Sequence, residues 1–253
     1  MASNANANAD ANANALTVSI ITVSQYSRRY CLANLAQLIK DQIYPTIIEW
    51  VIVEGSKTPE LALLNAAAVL KLPVKNIVYV PFAPDQKLSD LRNRGNQHSK
   101  GDIIVCMDDD DYYPSTRVSH AVYRLSNSPK LLAGCSKAFI YYYGSGQFFQ
   151  FKSFGKNHST NNCMAYKREY LLAHAYAPGL DKAEETSFTK GFSEPMEQLD
   201  PLKTIVMSGH DKNTVDKSVV SPSMLTELVG TDVLEILPLP RLMKMEKILE
   251  ELE

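Results

Sequence analysis

Apolar residues in this chain fall first into short β-branched runs. In LTVSIITVS, Val18, Ile20, Ile21 and Val23 cluster between polar flanks, the pattern of a buried strand. From Arg28 to Lys40 the rhythm changes, with Leu32, Leu35, Leu38 and Ile39 at helical spacing. A second β-branched run covers Ile47 to Val53 and stops at Glu54-Gly55-Ser56. Pro59 to Leu70 predicts a helix, because proline suits a first turn and the rest is rich in Ala and Leu. Ile77 to Val80 is a third strand, Gln86 to Ser99 a polar helix, and Asp102 to Met107 a fourth strand. Strands alternate with helices, and each strand is nearly continuous in apolar residues rather than alternating. That pattern predicts an α/β fold whose parallel sheet is covered on both faces by helices.

After Pro114 the alternation is lost. Pro114 to Leu125 predicts a helix. Leu131 to Tyr143, the turn Gly144-Ser145-Gly146 and Gln147 to Phe151 then predict an aromatic hairpin. Its rings suit sheet core better than a stacking surface for a sugar. Beyond Pro238 and Pro240, Leu242, Met245, Leu249 and Leu252 lie at helical spacing in a terminal amphipathic helix. This helix could cap the domain, pair with a second copy as a homodimer, or lead into a further domain. Residues 2–15 are an alternating Ala/Asn tract with nothing to bury, and are expected to be a disordered tail.

Composition narrows the picture modestly. In 253 residues, 45% of them hydrophobic, the formal net charge is −2, so no basic field argues for nucleic acid. No apolar run is long enough for a membrane span. The four cysteines show no CxxC spacing, and reduced thiols in a cytoplasmic setting are the simplest account.

The chemistry lies in IIVCMDDDDYY, where an apolar strand ends at four consecutive carboxylates, Asp108 to Asp111. Ligands in open parallel sheets bind beyond the carboxyl ends of the strands. The other strand exits, Ser24/Gln25/Tyr26 and Glu54-Gly55-Ser56, are polar as well. Adjacent carboxylates repel and desolvate at high cost, so a positive group is needed among them. A hard divalent cation fits, and Mg²⁺ or Mn²⁺ held by one or two carboxylates usually completes its shell with substrate phosphates. A solvated turn also suits aspartates. There is no Walker loop and no GxGxxG after the first strand, so basic side chains must help with phosphate. Arg92 and Arg94, on the helix before the acidic strand, are the candidates.

VSIITVS, Tyr44-Pro45, EWVIVEGS, LRNRG and KGDIIVCMDDDDYYP, in that order from Val18 to Pro114, resemble the motif series of GT-A glycosyltransferases of family 2. The resemblance implies metal-dependent transfer of a sugar from a nucleoside-diphosphate sugar, with UDP the common donor, to a glycan or other hydroxyl acceptor, usually with inversion. It implies a single GT-A catalytic domain over 16–230, with a nucleotide-sugar half at 16–114 and an acceptor half at 115–230. Residues 231–253 would be an extension.

By the same resemblance, Asp108 and Asp110 take the acidic positions of the DxD motif, with Asp110 and His210 as ligands to Mn²⁺ (or Mg²⁺). Asp108 and Asp109 would lie at the donor. Thr22, Val23, Ser24 and Tyr26 would line the base and ribose pocket, and Glu54 would read the base. Arg92 would lie near the diphosphate, Asn161 to Leu171 would close around the donor sugar, and Glu185 or Glu184 would be the general base. The sequence departs from the family in Glu54-Gly55 for Asp-Asp, in Glu-Glu for Glu-Asp, and in a missing glycine in the donor-closing segment. Read without the family, Glu184-Glu185 suits a solvated helix start and His210 a surface loop. A nucleotidyltransferase and a noncatalytic sugar-nucleotide or glycan-binding module are the rival functions. The first would require a glycine-rich loop where SQYSRRY stands.

Overall fold

The computed structural model describes residues 15–58, 63, 74, 76–81, 83–210, 221–229 and 239–250. The tail expected at 1–15, except for residue 15, lies outside these. So does the helix expected at 59–70, except for Leu63, which is buried.

Where it is described, the alternating first half folds as its pattern predicts. β1 (Val18–Ser24) pairs in parallel with β2 (Ile47–Glu54) on one side and β4 (Ile103–Cys106) on the other, and β2 pairs in parallel with β3 (Ile77–Val80). α1 (Arg29–Lys40) buries Leu32, Leu35, Leu38 and Ile39 against this sheet. α2 (Leu88–His98) lies so close to it that a Cβ on Gly95 would be 2.6 Å from Ile21 Cγ2. Trp50 is fully buried packing, and its indole Nε1 donates to Thr22 Oγ1 at 3.0 Å.

The second half departs from expectation, most plainly in one run. The run 131–143 is not one arm of a hairpin. β5 (Leu132–Gly134) joins the main sheet, while β6 (Phe139–Tyr142) and β7 (Gln147–Phe151) form the hairpin in a separate sheet. A turn at 135–138 splits the run, and hydrophobicity alone does not mark which sheet each part enters. β8 (Ala165–Lys167) runs antiparallel to β4 and β5, and β9 (Met196–Gln198) completes a seven-stranded sheet of order β3-β2-β1-β4-β8-β5-β9. β10 (Val206–Gly209) and β11 (Leu225–Glu227) complete the four-stranded second sheet. Much of the aromatic run packs, as expected, with Phe139 and Phe148 stacked at 5.4 Å and Phe149 against the main core.

α3 (Arg117–Ser126) follows the acidic strand, and α4 (Glu184–Phe188) is a short turn of helix. The terminal helix α5 (Leu239–Glu250) sets Met245 and Leu249 on Cys31 of α1, so this part of its apolar face is covered by the chain itself. All four cysteines are free and buried. Among the described residues no helix is long and apolar enough to cross a membrane.

Candidate functional site

The parallel register aligns the strand exits. Ser24 faces Glu54 across β1 and β2, and β4 delivers Asp108 to Asp111 on the other side of β1. A cleft of about 900 Å³ opens over these exits, within the roughly 300–1,000 Å³ usual for small-molecule sites. Phe151, Phe154 and His158 border its far side, and Glu184 and Glu185 another edge.

Each aspartate of the row has its own partners. Asp108 receives Arg92 Nη1 and Nη2 at 3.2 and 3.4 Å, and its backbone N–H donates to Tyr113 Oη at 2.7 Å. Asp109 accepts from Ser24 Oγ at 2.6 Å and pairs with Arg28 Nε at 2.8 Å. Asp110 pairs through Oδ2 with both Arg28 Nη2 and His210 Nε2, the latter at 3.1 Å. Asp111 accepts from Asn162 Nδ2 at 2.6 Å and from the Ser208 N–H at 2.8 Å. Part of the positive charge that the carboxylates require is therefore supplied by the protein itself, through Arg28 on Asp109 and Asp110 and Arg92 on Asp108. Burial pushes the Asp109 carboxyl up to about 7, with the Asp110 charge adding to the shift and the Arg28 guanidinium opposing it.

A two-residue bridge brings His210 to this row. Tyr112 and Val206 exchange backbone hydrogen bonds of 3.0 and 2.9 Å, which lays β10 along the acidic turn. The exit of β10 then falls beside Asp110. A carboxylate oxygen and an imidazole nitrogen converging in this way suit Mn²⁺, and two protein ligands leave room for phosphate oxygens. Among the described residues no three His, Cys, Asp or Glu side chains form a group able to hold a metal by themselves. Asp110 Oδ2 and His210 Nε2, 3.1 Å apart, are the two side-chain atoms here that could hold such an ion.

The pair Glu184-Glu185 divides. Ala183, in the left-handed region with φ 52°, turns the chain into α4. Glu184 is buried, and its Oε1 accepts from Arg92 Nε at 2.6 Å. Glu185 borders the cleft, and burial pushes its carboxyl up to about 7, with the Glu184 charge adding to the shift.

Several expected contacts are placed differently. Val23 and Ser24 border the cleft, but Thr22 is fully buried and its Oγ1 donates to the Met107 carbonyl at 2.7 Å. Thr22 lies two residues further inside β1 than the strand exit at Ser24, within the buried sheet. Tyr26 offers its backbone N–H to Ser56 Oγ at 2.8 Å, and its ring lies under the Arg29 guanidinium at 4.7 Å. Glu54 is fully buried, with Oε1 accepting from the Ser56 N–H at 2.9 Å and Oε2 from the Leu63 N–H at 2.7 Å and Tyr79 Oη at 3.2 Å. It anchors the chain after β2, beside a smaller pocket of about 200 Å³. Arg94 does not border the cleft, because two residues along a helix rotate it to the face away from Arg92. Arg28 and Ser208 were not anticipated, whereas Asn162 belongs to the segment 161–171 expected to close around the donor sugar and borders the cleft. The only signal for Arg28 was its basic charge immediately after a strand exit.

A mainly parallel sheet with this strand order, opening at its carboxyl ends onto an acidic row, is the GT-A glycosyltransferase architecture. Residues 19–179 match the sequence model of glycosyl transferase family 2, more than half of the chain, and the chain belongs to that family. Among solved structures it resembles the mannosyltransferase PcManGT from Pyrobaculum calidifontis in complex with GDP-Man and Mn²⁺. The identity there is 17% and the TM-score 0.59, over 79% of this chain and 59% of that one. S. aureus TarS 1–349 in complex with UDP-GlcNAc is similar at 15% identity and TM-score 0.56, over 82% of this chain and 62% of that one. At such identities the likeness establishes the fold. This chain spans about three fifths of the length of each of those two. Comparison with curated proteins finds no match.

Proposed function

We propose that this chain transfers a sugar from a nucleoside-diphosphate sugar, UDP-linked by preference, to an acceptor hydroxyl with inversion, and that Glu185 is the general base. The observation carrying this reading is the division within Glu184-Glu185. Arg92 engages the first, whereas the second borders the cleft outside that ion pair, with its carboxyl raised to about 7 by burial. A base with that affinity is matched to its task, since it is ionised at working pH yet binds a proton readily. The structures similar to this one that carry GDP-Man with Mn²⁺ and UDP-GlcNAc support the choice of donor class.

Asp110 and His210 would hold Mn²⁺ or Mg²⁺, which when bound screens the diphosphate and stabilises it as a leaving group. The other steps belong to the chain's own residues. Ser24 and Val23 border the donor side of the cleft, and Arg92 fixes both Asp108 and Glu184. Glu185 accepts the proton of the acceptor hydroxyl as its oxygen attacks the anomeric carbon. The bond from that carbon to the diphosphate breaks, and the proton remains on the Glu185 carboxyl.

A nucleotidyltransferase is disfavoured by the exit of β1, which passes into a 3₁₀ turn (Tyr26–Arg28) without glycine. The test is incubation with UDP- and GDP-sugars and Mn²⁺, with and without sugar acceptors, while released nucleoside diphosphate is measured. Release by the native protein and its loss in Glu185→Gln are expected. No release from any donor, despite a Mn²⁺-dependent thermal shift with that donor, would make the chain a binding module instead.

A further inference from the structure

Two consecutive arginines follow the exit of β1 and behave in opposite ways. Arg29 points outward, its guanidinium over the rings of Tyr26 and Tyr30 at 4.7 and 4.4 Å. Arg28 turns inward, its side chain only 15% exposed, and spans two neighbouring carboxylates of the acidic row. Its Nη2 pairs with Asp110 Oδ2, the same oxygen that His210 Nε2 approaches at 3.1 Å. A divalent ion held between Asp110 and His210 would compete with Arg28 for that carboxylate, and a guanidinium and a divalent cation repel each other at contact distance. Asp109 has separate support from Ser24 Oγ, so Arg28 can leave Asp110 without stranding Asp109. Arg28 also borders the cleft, where its planar fork matches phosphate oxygens.

We propose that Arg28 is the standing counter-cation of the acidic row, and that a divalent ion binds by displacing it from Asp110. The inference rests on the proposed assignment of Asp110 and His210 to that ion. Arg28 holds the row together when no ion is bound, and for that reason it weakens binding of the ion alone. A donor diphosphate gives the displaced fork a new anionic partner, so ion and diphosphate favour each other's binding.

The test is Mn²⁺ binding without nucleotide, followed by the electron paramagnetic resonance signal of free Mn²⁺, in the native protein, Arg28→Gln, Asp110→Asn and the double variant. Arg28→Gln is expected to bind Mn²⁺ at least about tenfold more tightly than the native protein, the scale of one charge-assisted hydrogen bond. Arg28→Lys keeps one charge but cannot bridge both carboxylates. It should also bind more tightly, and it serves if Arg28→Gln does not fold. Equal or weaker binding by the folded Arg28 variants would overturn the proposal. If the double variant binds as tightly as Arg28→Gln, then Asp110 is not a ligand, and the metal assignment fails together with the inference built on it. If Arg28→Gln binds more tightly and the double variant loses that gain, both stand.

Discussion

Arg92 Nε lies 2.6 Å from Glu184 Oε1, and both side chains are nearly withdrawn from solvent, at 8% and 5% exposure. The same guanidinium reaches Asp108, so one residue of α2 ties the end of β4 to the start of α4. Removing one partner of a buried pair leaves an uncompensated charge. Arg92→Met should therefore cost about 3–5 kcal/mol of stability. Chemical denaturation measures this, and a cost below about 1 kcal/mol, the value of an exposed pair, would show that the pair is not buried in solution.

Glu185→Gln should lower turnover by about 10²–10⁴-fold and leave donor affinity nearly unchanged. The native rate should rise with pH through about 7 and level off above it, since the base works when deprotonated. Stability moves the other way. A carboxyl raised to about 7 from its usual 4.5 binds its proton more tightly in the folded state, so ionisation costs stability as pH rises from 4.5 past 7. Glu185→Gln should accordingly melt higher than the native protein at pH 8, and the difference should vanish at pH 4.

Gly95 should not tolerate a methyl group. The Cβ of Gly95→Ala would lie 2.6 Å from Ile21 Cγ2 and 3.3 Å from Val53 Cγ2, and overpacking of this kind typically costs about 1–3 kcal/mol. The intrinsic helix preference of alanine over glycine works in the opposite direction by about 1 kcal/mol. A lower denaturation midpoint is expected, and a higher one would mean that α2 stands further from the sheet.

Glu54→Ala should destabilise the fold by at least about 2 kcal/mol, because the buried Ser56 and Leu63 N–H groups would lose their acceptor. Glu54→Gln keeps one acceptor and should cost less. Donor binding by Glu54→Gln, compared across UDP-, GDP- and dTDP-sugars, separates anchoring from base recognition. An anchor leaves the preference among bases unchanged, whereas a group that reads the base alters it.

The described part of the first half was legible because each strand is a short β-branched run and the helices at 29–40 and 88–98 are changes of period. Ile77–Val80 was bounded to the residue, and β1, β2 and β4 to within two residues. The second half was not, since the run 131–143 serves two sheets and no residue in it announces the division. The acidic row was read as needing positive charge and Arg92 was in view for it, but the other source, Arg28, lies 80 residues or more before the row in the chain. Of the two arginines in SQYSRRY, no periodicity or spacing marks which one turns to the row. The inequality of Glu184 and Glu185 was equally hidden, because it depends on which of two neighbours meets Arg92.

The bridge between Tyr112 and Val206 has a consequence for how the protein acquires its site. Asp111 takes a hydrogen bond from a backbone amide 97 positions further along, so the pocket depends on contacts that are remote in the chain. Ring closures of that length are slow and entropically demanding. The parallel strands of the first half come from neighbouring pieces of chain, but the surroundings of the acidic row are completed only when the second sheet docks on them.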